Sequence, residues 1–174
     1  TWVFGAPEMV LLGTSAQQKD ALSSATTYAE QGLRTLVLAV SPQRIDGEAL
    51  VGDLVPVLLV TLREKVRSDA PETIAYFLDQ GLSLKVISGD NPRTVAAVAT
   101  AAGIPHAGDV VDARTLPEDD AALAEILETH SVFGRVSPEQ KKLMVVALQS
   151  RGHVVAMTGD GVNDVPALHE ANIG

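Results

Sequence analysis

Short apolar runs alternate with stretches of helical spacing from residue 55 onward, and this alternation constrains the fold more than any other feature of the sequence. The apolar runs have the length of strands. Such alternation predicts an α/β fold, in which helices cover both faces of a parallel, Rossmann-like sheet. Strands are predicted at residues 55–62, 82–87, 132–133 and 153–157, and helices at residues 71–80, 92–103, 117–128 and 138–151.

The beginning of the chain has a less regular pattern, which predicts a separate small part. The chain is therefore predicted to divide into residues 1–54 and residues 55–174. The first part is predicted to hold a strand at residues 2–4, a helix at 20–31 that Gly32 ends, a strand at 35–40, and a loop or exposed hairpin at 41–53.

Composition excludes several classes of function. The 174 residues carry a net charge of −9, whereas a nucleic-acid-binding protein needs a basic face. Cysteine is absent, which excludes disulfides and cysteine-zinc sites. The longest apolar run, residues 54–62, is far shorter than the roughly 20 residues that a membrane span needs.

The strongest chemical signal is the run Thr-Gly-Asp-Gly-Val-Asn-Asp at residues 158–164. Asp160 and Asp164 lie four residues apart, so both carboxylates can face one point beyond the preceding strand. Mg²⁺ prefers one or two carboxylates together with water and phosphate oxygens. The alternative is a glycine-rich turn in which the aspartates only cap a helix.

Two weaker signals follow two other predicted strands. Ser88 opens the turn Ser-Gly-Asp-Asn at a predicted helix start, where backbone N–H groups favour an anion. Lys141 lies in the first turn of another predicted helix, where the helix dipole disfavours a cation. Each feature alone is typical of an ordinary turn or surface. Together with the two aspartates they supply what is needed to hold a phosphoryl group with Mg²⁺.

This set of residues resembles the haloacid-dehalogenase-like phosphotransferases and, among them, the P-type ATPases. The resemblance covers nearly the whole chain and implies a haloacid-dehalogenase-like sheet joined to part of a nucleotide domain. The matching motifs lie at residues 158–168, at residues 134–141 (Gly-Arg-Val-Ser-Pro-Glu-Gln-Lys), at residues 5–8 (Gly-Ala-Pro-Glu), at residues 32–36 (Gly-Leu-Arg-Thr-Leu) and at the hinge, residues 64–67 (Glu-Lys-Val-Arg).

The resemblance implies roles for the residues of the phosphate site. Asp160 would bind Mg²⁺ and Asp164 would support that metal site. Asn163 and Lys141 would contact the transferred phosphate. Ser88 stands where the family usually has threonine, and its hydroxyl can do the same work.

The resemblance also implies a nucleotide side, with ATP as the nucleotide. Gly89 and Asp90 would line the nucleotide or phosphate, and Arg34 and Arg135 would meet the ATP phosphates. Phe4 occupies a place where the family often has a nucleotide-contacting lysine. Its ring would pack either in the core or against adenine.

Of these alternatives the core is the expected position of Phe4, and Trp2 is expected there too. The hinge, where Glu-Lys replaces the usual Asp-Pro, and the Phe-Gly-Ala-Pro-Glu run at residues 4–8 together look most like a bacterial subgroup that moves Ca²⁺ or similar cations.

The family's nucleophile, the aspartate of Asp-Lys-Thr-Gly, is absent from this sequence. We therefore expect the chain alone to form no phosphoenzyme and to hydrolyse no ATP appreciably. In the family the nucleophile's strand lies mid-sheet, so the strands at Leu84 and Val154 are expected to pair with each other or to recruit a strand from another chain, as in a strand-sharing oligomer.

The resemblance further implies that the parent protein lies in the cell membrane, that this segment faces the cytoplasm, and that the transported cation binds elsewhere in the polypeptide. Two alternatives stay open. A soluble small-molecule phosphatase of the same superfamily would share Ser88, Lys141 and both aspartates, and a non-catalytic module would keep only the fold.

Overall fold

The computed structural model describes residues 1–44 and 53–174, which form two compact units, Thr1–Lys65 and Val66–Gly174. Most of the predicted loop at residues 41–53 lies outside the described residues. Within the described part of the chain, no helix combines the length and apolar character that crossing a membrane requires.

In its described residues, the first unit is an antiparallel sheet of three strands with two helices. Its strand order is β1-β2-β3. Because β3 pairs with β2 from Val55 to Arg63, this segment belongs to the first unit, and the division of the chain lies after Lys65, later than the predicted boundary after residue 54. The elements are β1 (Trp2–Gly5), α1 (Pro7–Val10), α2 (Ala16–Glu30), β2 (Leu33–Val40) and β3 (Val55–Arg63).

The helices of the first unit cover one face of this sheet. Val37 and Ala39 of β2 are fully buried in a cluster that includes Val10 of α1 and partly buried residues of α2. Side chains alternate between the faces of a strand, so the neighbouring positions point to the opposite face. Trp2 and Phe4 lie there and are 65% and 58% exposed. The prediction that both are core residues is therefore wrong.

The second unit contains a parallel sheet with the strand order β4-β6-β5, which confirms the predicted fold class. The sequence interpretation missed β5, a strand of only three residues. The elements are α3 (Ala70–Asp79), β4 (Val86–Ile87), α4 (Pro92–Ala102), β5 (Val110–Asp112), α5 (Asp120–Thr129), β6 (Val132–Gly134), α6 (Pro138–Ser150) and α7 (Val165–Glu170).

Helices pack on both faces of the parallel sheet. Phe133 is buried in a cluster with α5 and α6, whereas its neighbour Val132 is buried in another cluster with α4. Adjacent residues of a strand face opposite ways, so one short apolar strand serves both cores. The same alternation places Ile87 and Val111 with Phe133, and Val86 and Val110 with Val132.

Two strands predicted for the second unit differ from the structure. Only Val86–Ile87 of the run 82–87 is a strand, and it pairs with β6. The run 153–157 forms no strand, because within residues 1–44 and 53–174 its backbone pairs only through a single bridge between Ala156 and Ile173. The two segments therefore do not pair with each other as expected. Recruitment of a strand from another chain stays a prediction.

Candidate phosphate and metal site

The turns that follow β4 and β6 are bonded to each other at one edge of the sheet. The Val136 N–H donates to the Ser88 carbonyl (3.0 Å), and the Arg135 N–H donates to the Asp90 carbonyl (2.9 Å). Because β4 and β6 are parallel neighbours, their carboxyl ends lie side by side. Open α/β sheets bind ligands at this edge.

The serine turn leads directly into helix α4. The Ser88 hydroxyl oxygen accepts a hydrogen bond from the Asp90 N–H (3.1 Å). The Asn91 side chain caps the helix by accepting from the Arg93 N–H (3.0 Å), and Pro92 occupies the first position of the helix. This sequence of residues therefore places a hydroxyl and Gly89 just before an N-terminus that favours anions.

The turn after β6 is tightly packed and conformationally strained. Arg135 has φ of 61°, which is uncommon for a residue with a Cβ. Burial lowers the pKa of its guanidinium group. A Cβ on Gly134 would lie 2.5 Å from the Cα of Pro92, so only glycine permits β6 to approach α4 this closely. These contacts fix the path of the chain between the serine turn and α6.

A capping box orients the first turn of α6, where Lys141 lies. The Ser137 hydroxyl accepts from the Gln140 N–H (3.2 Å), and the Gln140 side chain accepts from the Ser137 N–H (3.0 Å). The Gln140 side chain also donates to the Ala113 carbonyl (2.8 Å). The side chain of Lys141 is only 14% exposed and forms an ion pair with Asp164.

Asp164 lies at the end of the glycine-rich turn, in a short 3₁₀ helix formed by Val162–Asp164. The hydrogen bond from Lys141 is the main cause that lowers the pKa of the Asp164 carboxyl group, and the Lys141 charge and the N–H groups of Gly161 and Asp160 lower it further, against the opposing effect of burial. The Asp164 carboxylate is therefore stabilised in its ionised form by the Lys141 side chain beside it.

Gly159 is needed because the chain passes very close to Asp164. A Cβ at position 159 would lie 2.6 Å from the Cβ of Asp164 and 2.7 Å from its Oδ2. At Gly161, by contrast, the nearest atom to an added Cβ would be 3.6 Å away, an ordinary contact. Gly159, the first glycine of the motif, thus leaves the space that the Asp164 carboxylate occupies.

The structure places the other predicted site residues as follows. Asp160 and Asn163 are exposed and lie in the same turn as Asp164. Arg34 is exposed on β2 of the first unit. In the described ranges, no group of three or more metal-ligating side chains comes together. Mg²⁺ needs only one or two carboxylates, because it keeps several water or phosphate oxygens among its ligands, so Asp160 and Asp164 are the residues that would hold it.

Sequence reasoning missed two residues that hold the chain just before the glycine-rich turn. The Asn172 side chain accepts a hydrogen bond from the Val155 N–H (2.8 Å), and the Gln149 side chain donates to Asn172 (3.2 Å). The partners are 17 to 23 residues apart in the chain, so no local motif marks them.

A parallel sheet with this edge of turns is the arrangement of the haloacid dehalogenase-like hydrolases, and the chain belongs to that family, which it matches over residues 11–172. Its relatives within the family include proteins named as cation-transporting ATPases.

Three such relatives are similar along most of the chain. The chain is 49% identical over 173 residues to a protein of Mycolicibacterium smegmatis named calcium-transporting ATPase CtpE, which covers 99% of the chain. It is 40% identical over 99% of its length to the probable cation-transporting ATPase exp7 of Streptococcus pneumoniae. It is 41% identical over 84% of its length to the cation-transporting ATPase pma1 of Synechocystis. The chain spans 21% of the length of the first two relatives and 17% of the third.

Proposed function

We propose that this chain is the part of an ATP-driven cation pump that holds Mg²⁺ and the transferred phosphoryl group while an aspartyl phosphate forms and is hydrolysed. The observation that supports this most is the ion pair of Lys141 with Asp164, at the sheet edge that also carries the Ser88 turn. A cation, a carboxylate and a hydroxyl at one edge suit phosphoryl transfer, which depends mainly on positioning and charge neutralisation.

Each group has a defined task in this proposal. The Lys141 ammonium group neutralises a phosphate oxygen, and the Ser88 hydroxyl with the N–H groups that begin α4 orients another. Asp160 and Asp164 are the two carboxylates that would hold Mg²⁺, with Asn163 beside the phosphate. Mg²⁺, when bound, neutralises charge on the phosphoryl oxygens.

The attacking carboxylate is not contained in this sequence, since Asp-Lys-Thr-Gly does not occur in it. We propose that the rest of the parent polypeptide supplies it, together with membrane helices that bind the transported cation. The parent would then lie in the cell membrane, with this segment on the cytoplasmic side. Ca²⁺ is the cation we propose, because CtpE, which is 49% identical to the chain, is named as a calcium transporter.

The open face of the first unit's sheet is the proposed nucleotide surface. Trp2 and Phe4 are exposed there, opposite Val40 and Leu38 of β2. Arg34 lies farther along the same face of β2, since positions two apart share a face. Aromatic rings bind bases by stacking, and an arginine binds phosphate, so this face suits ATP.

The phosphate and metal site can be tested on the purified chain. We expect inorganic phosphate with Mg²⁺ to shift the backbone amide resonances of Gly89 and Gly159 in a single NMR titration. The Lys141→Met variant should lose the response to phosphate. Lys142→Met is the matched control, because Lys142 follows in the same helix and pairs with Glu170 instead.

Two results would contradict the proposal. One is a phosphate response that is the same in the wild type and in Lys141→Met. The other is a response confined to one of the two turns. It would separate the serine turn from the glycine-rich turn at residues 158–164, which is called the acidic turn below.

A further inference from the structure

The segment at residues 153–157 leads into the acidic turn but has little backbone support of its own. The Met157 N–H donates to the Ile173 carbonyl (2.8 Å), and the Ile173 N–H donates to the Val155 carbonyl (3.2 Å). Val154 is 79% exposed. A strand inside a sheet would instead be held by ladders on both edges. The position of the acidic turn therefore depends on contacts other than sheet pairing.

Asn172 supplies such a contact through a single side-chain oxygen. Its Oδ1 accepts from the Val155 N–H (2.8 Å) and from the Gln149 side-chain amide (3.2 Å). The same Gln149 amide donates to the Glu170 carbonyl at the end of α7 (3.0 Å). One amide pair thus joins α6, the end of α7 and the segment before the acidic turn.

Helix α6 consequently holds the acidic turn from two sides. Its first turn carries Lys141, which bonds Asp164 at the end of the turn. Its last turns carry Gln149, which acts through Asn172 on the segment before the turn. The helix is 13 residues long, and its middle is packed into the core through Met144 and Ala147. A rigid helix fixed at both ends sets the distance between these two contacts.

We infer that Asn172, supported by Gln149, is a positioning residue for the acidic turn, the proposed metal site. Asn172 touches neither metal nor phosphate in this assignment; it fixes the backbone that aims Asp160. The inference rests on the proposed function, which assigns Mg²⁺ to this turn. Its structural content, a link from Asn172 to the geometry of the turn, can be measured without any metal.

The test compares four variants of the full chain. Asn172→Leu removes the accepting oxygen, Asn172→Asp keeps an oxygen in the same place, and Gln149→Leu removes one donor. Gln80→Leu is the control, because Gln80 is an exposed residue at the end of α3, distant in sequence from the acidic turn. Amide hydrogen exchange is followed at Val155, at Gly161 in the acidic turn and at Phe133 in the core, and Mg²⁺ affinity is measured by calorimetry.

We expect Asn172→Leu to accelerate exchange at Val155 and at Gly161 while Phe133 stays protected, and to weaken Mg²⁺ binding by about 10-fold, the lower range for outer-shell partners of a metal site. Asn172→Asp should restore both properties, and Gln149→Leu should give a smaller change of the same kind. Gln80→Leu should behave as the wild type.

Acceleration at Val155 that leaves Gly161 unchanged would overturn the inference, since Asn172 would then be only a local structural residue. Failure of Asn172→Asp to rescue would overturn it as well. If Asn172→Leu does not fold, hydrogen exchange at the Val155 and Gly161 amides of Gln149→Leu tests the inference in its place. A wild type that binds no Mg²⁺ would count against the proposed metal site, and the exchange pattern would still decide the inference.

Discussion

The ammonium group of Lys141 and the carboxylate of Asp164 form an ion pair although the two residues are 23 positions apart in the chain. Their side chains are only 14% and 11% exposed. A pair this protected from water is poorly screened, and the hydrogen bond from Lys141 lowers the pKa of the Asp164 carboxyl group. Helix α6 and the acidic turn are therefore linked electrostatically as well as by packing.

Replacing Lys141 by methionine should destabilise the fold in a pH-dependent way. At pH 7 the Asp164 carboxylate would lose its cation, and the free energy of unfolding should fall by about 1–3 kcal/mol. The wild-type pKa of Asp164 is lowered by Lys141. Its contribution to stability is therefore present above the unfolded pKa of about 3.9 and is lost as the pH falls through the folded pKa. Urea unfolding at a series of pH values measures this difference.

The wild type and Lys141→Met should therefore converge in stability as the pH falls below about 4. Lys142→Met should show no comparable convergence, because Lys142 is about half exposed and its pair with Glu170 is screened by water. A constant difference between the wild type and Lys141→Met down to low pH would show that the loss comes from packing and not from the charge of Asp164.

The two glycines of the acidic turn should respond differently to alanine. Gly159→Ala would force the Asp164 side chain to move, because the added Cβ would lie 2.6 Å from its Cβ. We expect this variant to lose Mg²⁺ affinity and to break the Lys141 ion pair. Gly161→Ala meets only an ordinary contact at 3.6 Å and should retain both. Calorimetric Mg²⁺ titration of the two variants measures the difference.

Equal loss of Mg²⁺ affinity in both variants would contradict the close approach of Gly159 to Asp164. A loss in Gly161→Ala alone would reverse the assignment, because the second glycine would then be the one that the carboxylate requires.

Local sequence patterns were sufficient to predict much of this fold, but they did not predict how two of the apolar runs pair. The alternation of strands and helices predicted the parallel sheet, and the strand predicted at residues 132–133 is part of β6, which extends to Gly134. The run at residues 55–62 was assigned to the wrong unit, because an apolar strand does not encode which strand it will pair with. The run at 153–157 was predicted to be a strand, yet among the described residues only Ile173 forms a bridge with it.

Residues of the candidate site could be named from the sequence where they lie in short motifs, and their roles stay predictions. Ser88, Lys141 and Asp164 each follow or open a recognisable turn. In the structure, hydrogen bonds join the turns after β4 and β6, and an ion pair joins Lys141 to Asp164. The link through Asn172 was not predictable, because it consists of one side-chain oxygen whose partners lie far away in sequence. Contacts of this kind depend on tertiary packing and leave no periodic signal.

The fluorescence of Trp2, the only tryptophan of the chain, should report on nucleotide binding. If ATP stacks on the open sheet face, its addition should quench or shift the Trp2 fluorescence. Phe4→Ala should weaken ATP binding by roughly 10-fold, because stacking of a base on an aromatic side chain contributes about 1–3 kcal/mol. Phe77→Ala, which removes an aromatic ring from α3 of the other unit, is the control.

A fluorescence response that Phe4→Ala leaves unchanged would place the base elsewhere. Absence of any response, with ATP binding still detected by calorimetry, would exclude the Trp2 face as the nucleotide surface while leaving the phosphate site of the second unit unaffected.

Replacing Gly134 by alanine should destabilise the second unit through backbone contact. The added Cβ would lie 2.5 Å from the Cα of Pro92 and 2.8 Å from its nitrogen, so β6 or α4 must shift. We expect a loss of about 1–3 kcal/mol in the free energy of unfolding, the usual range for overpacking in a core. Gly108→Ala, where an added Cβ meets no atom within 4 Å, is the matched control. The shift would also separate the Arg135 N–H from the Asp90 carbonyl, so hydrogen exchange at Arg135 should accelerate in Gly134→Ala and not in Gly108→Ala. Protection of the Arg135 amide at the wild-type level in Gly134→Ala would instead show that the turn after β6 can accommodate the methyl group.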